Sequence, residues 1–227
     1  MARKQTEEIY FEDVAGVAIA VAVHYARTDG GGESFVVMAH GFHGDKTGGA
    51  RHFVDLARDL ARRGISTLRF DQPGNGDSAG NFEDASFDRW VATVKHFAER
   101  LSSAGHKVAL LGESMGAVAT MAAAADLGKR ICGTALWSAG PLLGARTEPP
   151  KDGWMEEGGQ QVSWNYCVRP KRWASWKPTL DSKFQLASFS EPPITTHPRK
   201  QCALSKQIAS RVTGSGLSKV FPTPVGL

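Results

Sequence analysis

Residues Val108 to Ala125 read VALLGESMGAVATMAAAA. The apolar run Val108 to Leu111 predicts a strand buried on both faces, and the Ala-rich stretch Met115 to Leu127, stopped by Gly128, predicts a helix. Between them stands Gly112-Glu113-Ser114-Met115-Gly116, a G-x-S-x-G pattern with a strand before it and a helix after it. That context is what the pattern's mechanics need. The serine sits on a tight bend, its neighbours are small so that backbones can approach, and its hydroxyl projects above the sheet. A helix starting at Met115 also aims its first amides and its dipole at charge developing on a substrate oxygen. The other reading of Ser114 is a helix-capping serine after a strand.

Outward from this segment the chain alternates. Phe35 to Ala39 (FVVMA) predicts a buried strand, and Ala50 to Arg63 carries Phe53, Val54, Leu56, Ala57, Leu60 and Ala61 on a helical stripe that stops at Gly64. Ser66 to Phe70 predicts a strand, Asp71 to Gly80 (DQPGNGDSAG) a Gly-rich loop, Asp88 to Ala104 a helix and Ile131 to Trp137 a strand. Upstream, Glu8 to Arg27 is rich in Val, Ile, Tyr and Phe and suits a β-hairpin interrupted at Gly16. Such alternation with short links marks an α/β fold, a mostly parallel sheet flanked by helices.

After Leu143 the character changes. Residues 1–143 read as the core, 144–183 as a cap-like segment and 184–227 as an irregular tail of the same domain. Trp154, Trp164, Trp173 and Trp176 suggest a cover over something apolar, although plain core packing explains them equally well. Phe184 to Phe189 (FQLASF) is a weak strand at best.

A chain of 227 residues suffices for one domain with a sizeable core. Hydrophobic residues at 41% and charged residues at 22% give a soluble globular balance rather than a disordered one. The net charge of +4 is spread along the chain with no basic stripe, which argues against nucleic acid as a partner. Three well-separated cysteines, Cys132, Cys167 and Cys202, form neither a metal-like pair nor a disulfide framework. The opening MARKQTEEIY lacks the apolar core of a signal peptide, and Val14 to Val23 is shorter than the ~20 residues a bilayer span needs. The expectation is a cytoplasmic protein without a membrane partner.

His40-Gly41-Phe42-His43-Gly44 follows the first core strand, where this architecture needs a backbone amide for an oxyanion hole. The Phe42 and Met115 amides would form the donor pair, with His40, Gly41 and His43 lining the substrate site beside Trp154 and Trp164. Alternatively, the segment is a Gly-rich turn with His40 packed at the strand end. His43 and Asp45 form a less favoured catalytic pair, since chain order does not fix geometry. The loop at Asp71 has glycines but no G-x-x-x-x-G-K-[ST] lysine, so it reads as a structural turn bordering the site.

Together HGFHG, RFDQPGNGDSAG and GESMGAVA resemble the α/β-hydrolase superfamily, over roughly Phe35 to Leu143. Within it they look like cinnamoyl and feruloyl esterases and the monoglyceride-lipase and serine-aminopeptidase-like group. The resemblance implies a serine hydrolase with no metal or organic cofactor, and a triad in the order Ser, acid, His. His197 is the one histidine after Ser114; Asp181, Asp152 and Glu191 are acid candidates, Asp181 foremost. The family places its acid after an apolar strand and its histidine in a loop before the last helix, and Thr195-Thr196-His197-Pro198 has no such setting. The function expected is a serine carboxylesterase of short-chain or aryl esters, with a thioesterase or amidase using the same machinery. A rival is a catalytically impaired hydrolase-fold protein acting by self-association, as a homo-oligomer, or by binding.

Overall fold

The computed structural model describes residues 7–26 and 34–139, together with the backbone of three short strands at 154–157, 160–163 and 184–187. Strands β1 (Glu7–Val14) and β2 (Val17–His24) form the expected hairpin around Ala15 and Gly16, whose φ angles are 53° and 82°. Two left-handed residues give a two-residue turn whose twist matches that of its strands. The chain continues through β3 (Ser34–Ala39), α1 (His52–Arg62), β4 (Ser66–Phe70), α2 (Phe87–Ser103), β5 (Lys107–Glu113), α3 (Met115–Leu127) and β6 (Gly133–Trp137). Strands β7 (Trp154–Glu157) and β8 (Gln160–Ser163) pair with each other, and β9 (Phe184–Ala187) joins the main sheet.

The main sheet has the order β1-β2-β4-β3-β5-β6-β9. Its centre, β4-β3-β5-β6, is parallel; β2 meets β4 and β9 meets β6 in antiparallel register. Parallel neighbours need crossovers, which α1, α2 and α3 supply in turn. Side chains alternate across the sheet as strand geometry dictates. Val37, Leu68, Phe70 and Leu110 join Trp90, Val94 and Phe97 of α2 on one face. Val36, Met38, Ala109 and Leu111 join Phe53, Leu56 and Leu60 of α1 on the other. Each large side chain so buried contributes about 1.5–3 kcal/mol. Helix α3 has no polar stripe because it is enclosed nearly all round, and its alanines allow that close approach.

Some boundaries differ from expectation. The helix expected from Ala50 starts at His52, because Ala50 and Arg51 have φ of 50° and 65° within a separate turn at Gly49–Arg51. Left-handed residues cannot continue a right-handed helix. Strand β5 runs past Leu111 to Glu113, which puts the bend at Ser114 itself, and β6 starts at Gly133 rather than Ile131. In the tail, Phe184 to Ala187 does pair with the sheet, antiparallel to β6. Among the described residues no helix is long and apolar enough to cross a membrane.

Candidate active site

Ser114 lies between the last residue of β5 and the first of α3, with φ 51° and ψ −119°. An L-residue held in such a sparsely populated region carries about 1–3 kcal/mol of strain and persists only where its surroundings over-determine it. Here its amide donates to the Trp137 carbonyl at 2.9 Å, and its carbonyl accepts from the Ala117 and Val118 amides at 3.0 and 3.4 Å. The flanking glycines are sterically required. A Cβ on Gly112 would come within 2.5 Å of the Gly116 carbonyl oxygen, and one on Gly116 within 2.1 Å of the His40 carbonyl oxygen. A Cβ on Gly41 would stand 2.9 Å from the Ser114 Cβ, so the loop after β3 passes directly over the serine. The capping alternative for Ser114 fails, since its side chain makes no cap hydrogen bond to α3.

The loop carrying Gly41 and Phe42 is fastened at both ends. Before it, His40 donates from Nδ1 to the Gly41 carbonyl at 2.7 Å, and its Nε2 accepts the Gln72 amide at 2.9 Å. That pairing selects the neutral imidazole, and burial pushes the His40 pKa down, against the opposing Gly41 bond and the Asp71, Asp45 and Glu113 charges. With 1% exposure and an edge-to-face contact on Trp90, His40 is a scaffold residue. These contacts describe the packed alternative, His40 held at the end of β3.

After the loop, Lys46 reaches Asp71, whose side chain is fully buried. The Lys46 amide donates to Asp71 Oδ1 at 2.5 Å, and its ammonium donates to Asp71 Oδ2 at 2.7 Å and to Asp77 Oδ2 at 2.6 Å. The Asp77 amide completes the set on Asp71 Oδ2 at 2.8 Å, and Arg69 grips the Lys46 carbonyl at 2.9 Å. Thus the glycines of DQPGNGDSAG serve a structural loop: a Cβ on Gly76 would collide with the Asp71 carboxylate at 2.3 Å.

Phe42 is half-buried and His43 exposed, the latter at φ 58°. Their rings lie 4.0 Å apart, and Phe82 packs edge-on against Phe42 at 4.9 Å and against His43 at 5.7 Å. Strand β8 passes beside the turn that carries Phe82. Gly41, Phe42, Ser114 and Met115 are thus brought together, with His43 beside them. Trp154 starts β7, while Trp164, Asp181 and His197 lie outside the described residues.

One pair beside the serine escaped the reading of the sequence. His52, at the start of α1, meets Glu113 with its Nε2 3.1 Å from Oε2, and its Nδ1 bonds the Gly49 carbonyl. Its ring stacks edge-on against Trp137 at 4.7 Å. Both ring nitrogens face acceptors, so only the imidazolium satisfies both. Burial opposes that charge, yet the bond and charge of Glu113 with the Gly49 carbonyl outweigh it and hold the His52 pKa above the usual imidazole value. The available signal was Glu113 itself, a carboxylate at the end of a buried strand, which demands a partner. Among the described residues no group of three or more His, Cys, Asp or Glu side chains is arranged to hold a metal ion.

The family model for serine aminopeptidase S33 hydrolases matches residues 32–182, more than half of the chain. No curated protein matches. Among solved structures, Est1E from Butyrivibrio proteoclasticus with ferulic acid bound is similar at 24% identity and TM-score 0.60, over 70% of this chain and 68% of that one. The α/β hydrolase GrgF from Penicillium sp. sh18 is similar at 21% identity and TM-score 0.52, over 60% of this chain and 46% of that one. A thioesterase domain from the curacin biosynthetic pathway is similar at 21% and 0.52, over 63% and 50%. At these identities the likeness establishes the fold, which is that of the α/β hydrolases. The chain is accordingly a hydrolase of that fold and belongs to the serine aminopeptidase S33 family.

Proposed function

We propose that this hydrolase is a serine carboxylesterase, cytoplasmic and acting on short-chain or aryl carboxylic esters through an acyl-enzyme on Ser114. The observation that carries the reading is the strained backbone of Ser114, set between a parallel strand and a helix N-terminus and enclosed by Gly41, Gly112 and Gly116. Strain of this kind persists at functional sites. In the proposed reaction the Ser114 hydroxyl attacks the ester carbonyl carbon and gives its proton to a base. The Phe42 and Met115 amides stabilise the oxyanion, the C–O bond to the leaving alkoxide breaks, and the base returns the proton to it. Water, activated by the same base, then releases the carboxylic acid. His197 is the proposed base and Asp181 its proposed acid partner; each follows Ser114 in the order the family resemblance implies. The aromatic ring set of Phe42, His43 and Phe82 supports an aryl or short acyl group beside the serine, with Trp154 and Trp164 as further proposed contacts.

The test is turnover of p-nitrophenyl acetate and butyrate by the full chain beside Ser114→Ala. Turnover that disappears in Ser114→Ala is expected, and equal rates in both would end the proposal. His197→Ala should lower turnover more than about tenfold, a modest threshold beside the losses that follow removal of a triad member. Unchanged activity would move the base to His43. A matched thioester and amide measured alongside separate the esterase from the thioesterase and amidase readings.

A further inference from the structure

We propose that His52 and Glu113 together are a positioning pair for Ser114, clamping the bend and cancelling the carboxylate charge of the residue before the nucleophile. The inference rests on Ser114 being the nucleophile and adds two residues that act through its backbone and its electrostatic surroundings.

Three links close a ring around the bend. Glu113 is joined to Ser114 by one peptide bond, and its carboxylate is held by His52 at 3.1 Å. The Ser114 amide is held by the Trp137 carbonyl at 2.9 Å. The Trp137 ring, registered opposite Glu113 across β5 and β6, is in turn stacked by His52 at 4.7 Å. His52 itself cannot swing away: its Nδ1 is tied to Gly49, and a Cβ on Gly48 would already meet its ring at 2.7 Å. A strained backbone needs enclosure of this kind to stay in place.

Electrostatics supplies the second part. Acyl transfer develops negative charge on the oxygen bonded to the carbon that Ser114 attacks. A bare carboxylate one residue away in a half-buried setting disfavours that charge, and the imidazolium of His52 removes the penalty. Asp55 on its own helix also bears on His52, His40 at the end of β3 feels the same Glu113, and the exposed Arg51 precedes His52. Phe53 and Trp137, its ring neighbours, carry no charge.

The experiment is a cycle of His52→Gln, Glu113→Gln and the double variant. It measures kcat and KM with p-nitrophenyl butyrate and the rate of fluorophosphonate labelling from pH 6 to 10, with Ser114→Ala as blank and thermal melts to fix the folded fraction. His52→Gln, which strands the carboxylate, should lower kcat on the order of tenfold with KM little changed, short of the about hundredfold cost of a 1 Å misplacement. Adding Glu113→Gln should recover most of that loss. Labelling of the wild type should fall on the alkaline side as the imidazolium loses its proton, and Glu113→Gln alone should erase that limb. A double variant no faster than His52→Gln, a loss carried by KM, or an alkaline limb retained in Glu113→Gln would overturn the proposal. Labelling that survives in Ser114→Ala would instead overturn the nucleophile reading beneath it.

Discussion

The two flanks of Ser114 are secured by different chemistry. On one flank, the loop over the serine ends at Lys46, whose ammonium and amide both meet the fully buried Asp71. Burial opposes the Lys46 charge, yet its bonds to Asp71 and Asp77 outweigh that and hold its pKa above the usual lysine value. On the opposite flank, α1 reaches β5 through His52 and Glu113, a pair whose cation exists only while an imidazole keeps two protons. His40 stands between them as the converse case, with one ring nitrogen donating and the other accepting, so that it is held neutral. The comparison shows how burial and the partners around a side chain together decide its charge. Burial pushes both histidines toward the neutral form; at His52 the Glu113 carboxylate outweighs it, whereas His40 turns one nitrogen to the Gln72 amide and burial prevails.

The pair of Lys46 and Asp71 should break hardest. Lys46→Met leaves Asp71 buried without its cation and should cost about 3–5 kcal/mol in urea unfolding, the scale for removing one partner of a buried pair. A loss below 1 kcal/mol would show the loop to be held by its backbone bonds alone.

A pH series sharpens the contrast between the histidines. The folded pKa of His52 is raised, so its stabilising contribution is complete below the unfolded value near 6.5 and fades as pH rises through the raised value. For His40 the folded pKa is lowered, so its contribution is present above about 6.5 and fades as pH falls. Stability of wild type minus His52→Gln should therefore shrink with rising pH, and wild type minus His40→Gln should shrink with falling pH. The same slope in both differences would contradict the assigned charge states.

The smallest effect belongs to Asp77→Asn. Its carboxylate touches Lys46 at 2.6 Å, but the side chain is 71% exposed, so water already screens the pair. A change of roughly 0–1 kcal/mol is expected from the same urea measurement.

Much of this fold was legible because its elements carry strong local signals. Helix α3 begins and ends where Ser114 and Gly128 predict, and the core strands are short apolar runs between glycine-containing links. The bend at Ser114 was legible for a steric reason: strain there forces glycine at 112 and 116, and such constraints write themselves into the sequence. Strand β9 was barely visible, since four residues carry no record of the direction in which they pair. The start of α1 was misjudged because Ala50 and Arg51 lead straight into the helical stripe, and no periodicity reveals their positive φ. The two readings of His40 stayed open because a motif names a residue's neighbours in sequence but not which way a ring turns. His52 and Glu113 are 61 residues apart, and nothing local links them. The proposed acid and base, Asp181 and His197, lie in the stretch where periodic signals fade.

Glycine would adopt the φ of 51° at position 114 with less penalty than any residue bearing a β-carbon. Folding considered alone thus favours losing the hydroxyl, and a lineage freed from selection for chemistry would drift toward glycine there while keeping its architecture. On the proposed reading, serine stands there because the reaction needs its hydroxyl, against the preference of the backbone.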